Sequence, residues 1–345
     1  MSLLLAAGVA LVVALLLTRA FTRPASRMHI LDHPNERSLH SNPMPRTGGV
    51  AIVTGIVVGG VMLAMTALIR FPTSVGWLGT IAALIAVVSY FDDRRHLPIV
   101  VRLTAHIAAS GLLVVAGLGI GSLSLPGFTY ALPAWPATVL TVLFTVWMVN
   151  LYNFMDGMDG FAGGMTAIGF GTLAVLGWWG GDEVFAALNV IIVGATIGFL
   201  VFNFPPAKIF MGDTGSSTLG FLAAGMSLWA HVTGLVPLWI SVVVFSPFIV
   251  DATVTLVRRA GRGEKVWQAH KTHYYQRLVQ AGWGHRKTVL LEYGLMLVCA
   301  GAAVAAYAAG ALLQWVLVGA VALLYVSFFQ FIRAVEANAG VIPYR

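Results

Sequence analysis

The sequence predicts an all-α polytopic membrane protein with about 11 transmembrane helices, N-terminus outside and C-terminus cytoplasmic. Composition, the spacing of apolar runs and the placement of positive charge carry this expectation. Hydrophobic residues make up 59% of the 345-residue chain and charged residues 10%. The mean hydropathy of +0.87 is far above that of a water-soluble domain.

Apolar stretches of about twenty residues, the length that crosses a bilayer, fall near 2–18, 48–69, 75–91, 99–118, 135–154 and 161–179. Five more fall near 184–203, 217–233, 235–256, 288–309 and 311–332. The first run has no basic residue before it and Arg19, Arg23 and Arg27 after it, the reverse of a cleavable signal. With eleven spans the connecting segments alternate sides, and 19 of the 20 Lys and Arg residues then fall inside. Only Arg70 is left outside. One helix more or fewer would scatter this asymmetry, so charge and span count support each other.

The formal charge of +7 comes from basic residues that flank apolar spans, a pattern for anionic lipid headgroups and not for nucleic acid. Cys299 is the single cysteine, so the chain forms no intramolecular disulfide. No internal repeat is visible, and residues 1–345 read as one integral membrane domain. The outer connections near 70–74, 119–134, 180–183, 232–236 and 309–311 read as plain turns. The inner loops near 19–47, 92–98, 155–160, 204–216 and 257–287 gather Asp, Asn, His, Gly and Pro, and are expected to form the active site.

Asp92 and Asp93 stand together in SYFDDRRHLP at the end of the third span. Adjacent carboxylates at a membrane boundary need a compensating cation, either a hard divalent ion or Arg94 and Arg95. VNLYNFMDGMDGFAGG spaces Asn150, Asn153, Asp156 and Asp159 by three, with glycines that break the helix or admit a ligand. In FNFPPAKIFMGDTGSS, Asp213 and its neighbours suit either a helix cap or a phosphate site, and Asp213 could join the Asp92–Asp93 pair around a metal. His270 and His273 lie at i and i+3, on one side of a helix if that segment is helical. There they would meet zinc or an anionic phosphate, or belong to a basic face that fixes topology.

Weaker candidates are His40 and Arg46 where the chain re-enters the membrane, His106 as a hydrogen-bonded packing residue, and Asp251 as a partner for Arg258 and Arg259. Asp182 and Glu183 read as a solvated turn. The P-loop, G-x-S-x-G and H-E-x-x-H motifs are absent. A secondary transporter using Asp156, Asp159 and Asp251 is the alternative from another class, although transporters set such carboxylates near the bilayer midplane.

The ordered set DD, NFMDGMDG, FMGDTGS and a loop with paired histidines, together with PRTGG at the second span, closely resembles the polyprenyl-phosphate N-acetylhexosamine-1-phosphate transferases (glycosyltransferase family 4). These belong to the superfamily of phospho-N-acetylmuramoyl-pentapeptide transferase. The resemblance covers roughly residues 29–290. It implies transfer of an N-acetylated sugar-1-phosphate from a UDP-sugar to undecaprenyl phosphate with release of UMP, at the bacterial inner membrane. Mg²⁺ is the implied cofactor, with Mn²⁺ able to substitute, and a homodimer is an assembly it allows. The implied catalytic residues are Asp92, Asp93, Asp156 and Asp159, and the implied metal ligands are Asp92, Asp93 and Asp213. Asn153, Asn203, Phe210, His270, His273 and Arg46 are the implied substrate contacts, with Phe210 stacking on uracil. The muramoyl-pentapeptide branch carries a lysine where this chain has His96 and three successive histidines where it has AHKTH. The loop is more like the branch that begins O-antigen and other surface polysaccharides.

Overall fold

Long runs of Leu, Val, Ala and Ile, interrupted by Gly and Pro only near their ends or at tight crossings, fold as helices because in lipid each backbone group must be satisfied within its own segment. The computed structural model describes residues 2–340 apart from 27, 29, 35–38, 40, 41, 66–70 and 269. His40, Arg70 and the inner-loop residues Arg27, Arg37 and Arg345 therefore lie outside the described residues.

The helices are α1 (Ser2–Phe21), α2 (Gly48–Met65), α3 (Thr73–Arg95), α4 (Ile99–Val115), α5 (Ala134–Met155) and α6 (Phe161–Trp179). They continue as α7 (Glu183–Asn203), α8 (Gly212–Val232), α9 (Leu238–Val244), α10 (Ser246–Gly261), α11 (Tyr274–Leu278), α12 (Gly284–Tyr307) and α13 (Ala311–Asn338). A π-helical turn, Val279–Trp283, joins α11 to α12. Among the described residues, eight candidate spans are long and apolar enough to cross a membrane, seven of them single helices and one the continuous stretch from α11 through α12.

Each predicted span finds a helix, but three depart from a plain crossing. α4 is short. α8 is less apolar than the other long helices because it runs through protein: α3 and α5 flank it, α2 crosses it, and its residues from Thr214 to His231 are buried. The run expected as one span at 235–256 is two helices, α9 and α10, bent by 82°. Pro247 removes an amide at that break, and the Ser246 hydroxyl bonds the Val243 carbonyl at 2.7 Å.

Two connections also differ from the expectation. The outer segment near 119–134 holds a hairpin of β3 (Ser122–Leu125) and β4 (Phe128–Ala131), antiparallel, with Leu125 opposite Phe128. Asp182 is not a free turn residue, since it caps α7 by accepting the Phe185 N–H at 2.9 Å. His106 is buried, yet its Nδ1 has no hydrogen-bond partner among the described residues, contrary to the hydrogen-bonded role expected. A short pairing of β1 (Leu31–Asp32) with β2 (Met44–Pro45) leads into α2.

Small residues set the closest approaches. A Cβ on Gly49 would meet the Gly215 amide nitrogen at 2.1 Å, so α2 and α8 cross almost backbone to backbone. At the far end of the chain, α13 is pinned by a buried ion pair. Arg277 of α11 donates twice to Glu336, at 2.6 and 2.5 Å, with both side chains at most 2% exposed. Removing one partner strands a charge in an apolar site. Glu336→Ala is expected to cost about 3–5 kcal/mol, seen as a lowered thermal midpoint in detergent, while Arg277→Met with Glu336→Leu recovers most of it.

Candidate active site

The two adjacent aspartates of α3 do different work. Asp93 is buried and faces the start of α8, where backbone N–H groups have no partner within the helix. Its Oδ1 accepts the Asp213 N–H at 2.9 Å, and its Oδ2 accepts the Thr214 N–H at 2.9 Å and the Thr214 hydroxyl at 2.6 Å. Arg46 completes the knot, donating to the Asp93 carbonyl at 2.8 Å and lying 3.1 Å from Oδ1. Gly212, at φ +71°, lets this happen: a Cβ there would meet the Arg46 carbonyl at 2.2 Å and both Asp93 carboxylate oxygens near 3 Å.

Asp92 turns the other way. It accepts the Leu97 N–H at 2.7 Å and pairs with Arg102 at 2.9 Å. Its carboxyl shares the Arg102 guanidinium with that of Asp213, at 2.9 and 3.9 Å. Arg94 and Arg95, the basic neighbours in sequence, instead sit over the rings of Tyr90 and Phe91. A residue one or two places on in a helix points away from its neighbour, so the compensating cations are Arg46 and Arg102.

Asp213 is in the first turn of α8, where the GDTGS segment expected as loop is already helical. Its Oδ1 accepts the Asn153 amide at 2.6 Å, its Oδ2 lies 3.9 Å from Arg102, and its side chain keeps 28% exposure. Asn153 also reaches Ser216 at 3.3 Å. Asn150 points back along α5, to the Val146 carbonyl, and does not join the cluster.

Asp156 follows directly on α5 and has no hydrogen-bond donor on its carboxyl among the described residues. Its surface is only half covered, yet the carboxyl sits deep within surrounding protein. Burial, then the charges of Asp213, Asp93 and Asp32, hold it well above the usual carboxylate range. Asp159 pairs with His285 Nδ1 at 3.0 Å and accepts the Ala207 N–H at 2.9 Å, which ties the loop after α5 to α12 and to the segment after α7.

Asn203, expected in a nucleotide pocket, is buried and spends both ends of its amide on the frame. Its oxygen accepts the Gly160 N–H at 2.9 Å and its nitrogen donates to the Ile209 carbonyl at 2.8 Å. Phe210 is half-buried beside the turn into α2, where its N–H donates to the Pro45 carbonyl at 2.7 Å. Arg46 is held by Asp93 and by Asp32, the latter at 3.5 Å.

The histidine pair comes together without the helix that would set i and i+3 on one side. Residues 262–268 and 270–273 are irregular, and His273 is the N-cap of α11. The two rings lie 4.7 Å apart, and His273 stacks near Phe154 and Tyr275. Asp251 organises this corner. It pairs with His273 at 3.2 Å and accepts the Tyr274 and Tyr275 N–H groups at 3.0 and 3.2 Å. It is therefore not the partner of Arg258 or Arg259, which lie two turns further along α10 and reach Tyr274 and Glu264 instead. His270 accepts from the Thr272 hydroxyl at 2.9 Å, and burial, then His273 and Arg259, push its ring down to about 4.

Among the described residues, no three Asp, Glu, His or Cys side chains form a ready metal cluster. The expected triad of Asp92, Asp93 and Asp213 is thus not preformed, because Asp93 has given its oxygens to α8 and Arg46. The remaining donors still suit Mg²⁺, which commonly takes one or two protein carboxylates and fills its octahedron with water and substrate oxygens. Asp92 and Asp213, side by side at Arg102, repel unless a proton or cation lies between them, and Asp156 adds a third carboxyl nearby. Arg102, Thr214, Tyr275 and His285 had no assigned role in the sequence, since each partner lies on another helix. A histidine in the first turn of α12 was the only cue to His285.

Residues 74–231, from α3 through α8, match the model of Glycosyl transferase family 4. A probable undecaprenyl-phosphate N-acetylglucosaminyl 1-phosphate transferase of Bacillus subtilis (strain 168) is 32% identical over 289 residues, 83% of this chain and 79% of that protein. The chain belongs to glycosyl transferase family 4. This makes it an enzyme of a membrane transferase family. A second family 4 relative, the decaprenyl-phosphate N-acetylglucosaminephosphotransferase of Mycobacterium tuberculosis (strain CDC 1551 / Oshkosh), is 33% identical over 78% of this chain and 74% of its own. A phospho-N-acetylmuramoyl-pentapeptide-transferase of Shouchella clausii (strain KSM-K16), of the same superfamily, is 26% identical over 71% and 78%.

Two outcomes follow from this geometry. Asp93→Ala leaves two helix N–H groups and Arg46 without their acceptor and should cost about 1–3 kcal/mol for the unsatisfied buried groups, measured by thermal unfolding against Asp92→Ala, which costs less. For His270 the folded value, about 4, lies below the ordinary imidazole value of 6.5, so the unfolded chain binds the proton more readily in between. Its contribution to stability is complete above about 6.5 and is lost as pH falls toward 4, so His270→Gln should flatten the pH dependence of the melting midpoint across that window.

Proposed function

We propose that this enzyme transfers an N-acetylated sugar-1-phosphate from a UDP-sugar to undecaprenyl phosphate, giving undecaprenyl-diphosphate-sugar and UMP. The supporting observation is the convergence of Asp92 and Asp213 on one guanidinium, that of Arg102, with Asn153 bonded to Asp213 and Asp156 beside it, at the meeting point of α3, α5 and α8. Such a concentration of negative charge serves a reaction that brings anionic phosphates to a divalent cation. N-acetylglucosamine is the sugar named in two of the relatives, and is the first to test. The reaction would be the opening membrane step of O-antigen or another cell-envelope polysaccharide.

The basic segments beside this end of the bundle support, by the positive-inside rule, a site on the cytoplasmic side of the inner membrane. A lipid phosphate then reaches the cluster from the bilayer while the nucleotide arrives from water. Asp92 and Asp213 are the residues that would hold Mg²⁺. Bound there, the ion supplies charge neutralisation and Lewis acidity at the diphosphate. Asn153 fixes the rotamer of Asp213, and Arg102 spans Asp92 and Asp213 as a counter-charge. Asp156, with open lone pairs and a raised proton affinity, takes the proton of the attacking lipid phosphate. Asp159 and Asn203 hold the loop that presents Asp156. His270 and His273 border the site as contacts for phosphate or sugar, and Phe210 and Arg46 stand where the nucleotide base would enter.

A transporter reading would need mobile intramembrane carboxylates. The acid on the bent helix pair, Asp251, is instead locked by His273 and two backbone N–H groups.

Purified protein given undecaprenyl phosphate, Mg²⁺ and a panel of UDP-sugars should release UMP with an N-acetylated donor. Asp213→Asn should lower the rate by about 10²–10³-fold, the scale seen when one preorganised electrostatic group is lost. Wild-type turnover in that variant would sink the assignment.

A further inference from the structure

The loop that carries His270 and His273 has a second face, away from the aspartate cluster. His273 stacks toward Phe154, whereas the next residue, Tyr274, stacks on Phe329 of α13 with ring centroids 4.0 Å apart. Behind Tyr274 is a small, half-open pocket, walled by the end of α10 and the start of α11. Four guanidiniums line it, from Arg258, Arg259, Arg262 and Arg277, together with the hydroxyls of Thr255, Thr272 and Tyr274.

The charges do not cancel. Arg277 is spent on Glu336. Arg259 is spent on Glu264 at 2.7 Å and on the carbonyls of Gln268 and Lys265, and Arg262 shares that same Glu264 at 3.5 Å. Asp251 lies next to Thr255 but is saturated by His273, Thr255 and the backbone of α11. Arg258 has no carboxylate partner among the described residues. It donates to the Tyr274 hydroxyl, and its guanidinium lies 5.7 Å from the Tyr274 ring centre. A cavity with one unneutralised guanidinium, a second sharing its acid, and hydroxyls between them has the donors of a phosphate receptor.

The surroundings bear on the source of that phosphate. Val257, beside Arg258, is 63% exposed, Phe331 of α13 is 39% exposed, and Trp267 of the loop is 69% exposed. Lys287 lies 3.7 Å from the ring centre of Trp283, which packs edge-on against Phe331. Aromatic rings, exposed aliphatic surface and cations at one helix end are the pattern of the headgroup layer. A free phosphate would gain nothing from the apolar rim, whereas a lipid would use both parts.

We propose that Arg258, Arg262, Thr272 and Tyr274 form a binding site for the phosphate of an anionic membrane phospholipid, separate from the transfer site. An occupant would brace Tyr274 and hence the N-terminus of α11, which carries His273. This inference does not depend on the transferase reading, because its test reads binding and not turnover.

The probes are phosphatidylglycerol, phosphatidylcholine and inorganic phosphate, each titrated into the delipidated protein and followed by native mass spectrometry and by the shift in thermal midpoint. Wild type should hold phosphatidylglycerol at least about tenfold more tightly than either other probe, and Arg258→Gln should weaken it about tenfold, ~1.4 kcal/mol. Arg258→Lys, which keeps the charge, should lose less. Arg262→Gln changes an exposed side chain, provides a second variant if Arg258→Gln folds poorly, and should also weaken retention. Equal retention by wild type and both Gln variants overturns the site. Inorganic phosphate binding as well as phosphatidylglycerol overturns the lipid assignment, and phosphatidylcholine binding as well overturns the requirement for an anionic headgroup.

Discussion

The arrangement of the polar end of this bundle depends on one carboxylate. Asp93 closes the N-terminus of α8 and is itself held by Arg46, so one side chain joins α3, the strand leading into α2, and the central helix. An aspartate at a helix N-terminus is favoured by the exposed N–H groups and by the helix dipole, and more so where water is excluded. With α8 fixed in this way, Asp213 emerges beside Asp92 and within reach of Asn153. Without the cap, a Gly-rich first turn buried among α2, α3 and α5 would leave unpaired donors in a place that lipid and protein both make costly.

Most of the acids around the site are accounted for by one strong partner each. Asp92 has Arg102, Asp159 has His285 and an amide, and Asp251 has His273 and the start of α11. These pairs hold four helix ends in register. Asp156 stands apart because, among the described residues, no donor faces its carboxyl, and Asp213 because it shares Arg102 with a second carboxylate, Asp92. The carboxyls without a strong partner are thus concentrated at one point among neighbouring acids that are matched, which is how a site can be electrostatically strained while the frame around it is stable.

Much of this was legible in the residues. The apolar runs located the long helices, although eight and not eleven of the described stretches are long and apolar enough to cross a membrane, and Asp92, Asn153, Asp156 and Asp213, chosen because paired carboxylates and amides are costly at a membrane boundary, do converge. What escaped was partner choice. Nearness in sequence suggested Arg94 and Arg95 for the aspartate pair, and Arg258 and Arg259 for Asp251, but helical geometry turns adjacent side chains apart and the true partners come from other elements. The roles of Asn203 and Asp93 as framework were equally hidden. Which end of an amide meets which backbone group is decided by tertiary packing, and a carboxylate that caps a helix reads the same in sequence as one that binds a cation. The bend between α9 and α10 shows the same limit: Ser246–Pro247 marks a break, whereas its 82° angle comes from packing.

The histidine loop shows how the frame reaches the site from far along the chain. Irregular segments at membrane depth persist only where protein satisfies their backbone. Here Asp251 takes two N–H groups at the head of α11, while the buried Arg277–Glu336 pair fixes the same short helix to α13. A helix of five residues has little stability of its own, so its position is set almost wholly by these two anchors. His273 caps that helix, and its ring therefore inherits the rigidity of α10 and α13 without either helix approaching the aspartates. The last transmembrane element, remote from Asp213 in sequence, is in this way part of what holds the imidazoles at the edge of the cluster.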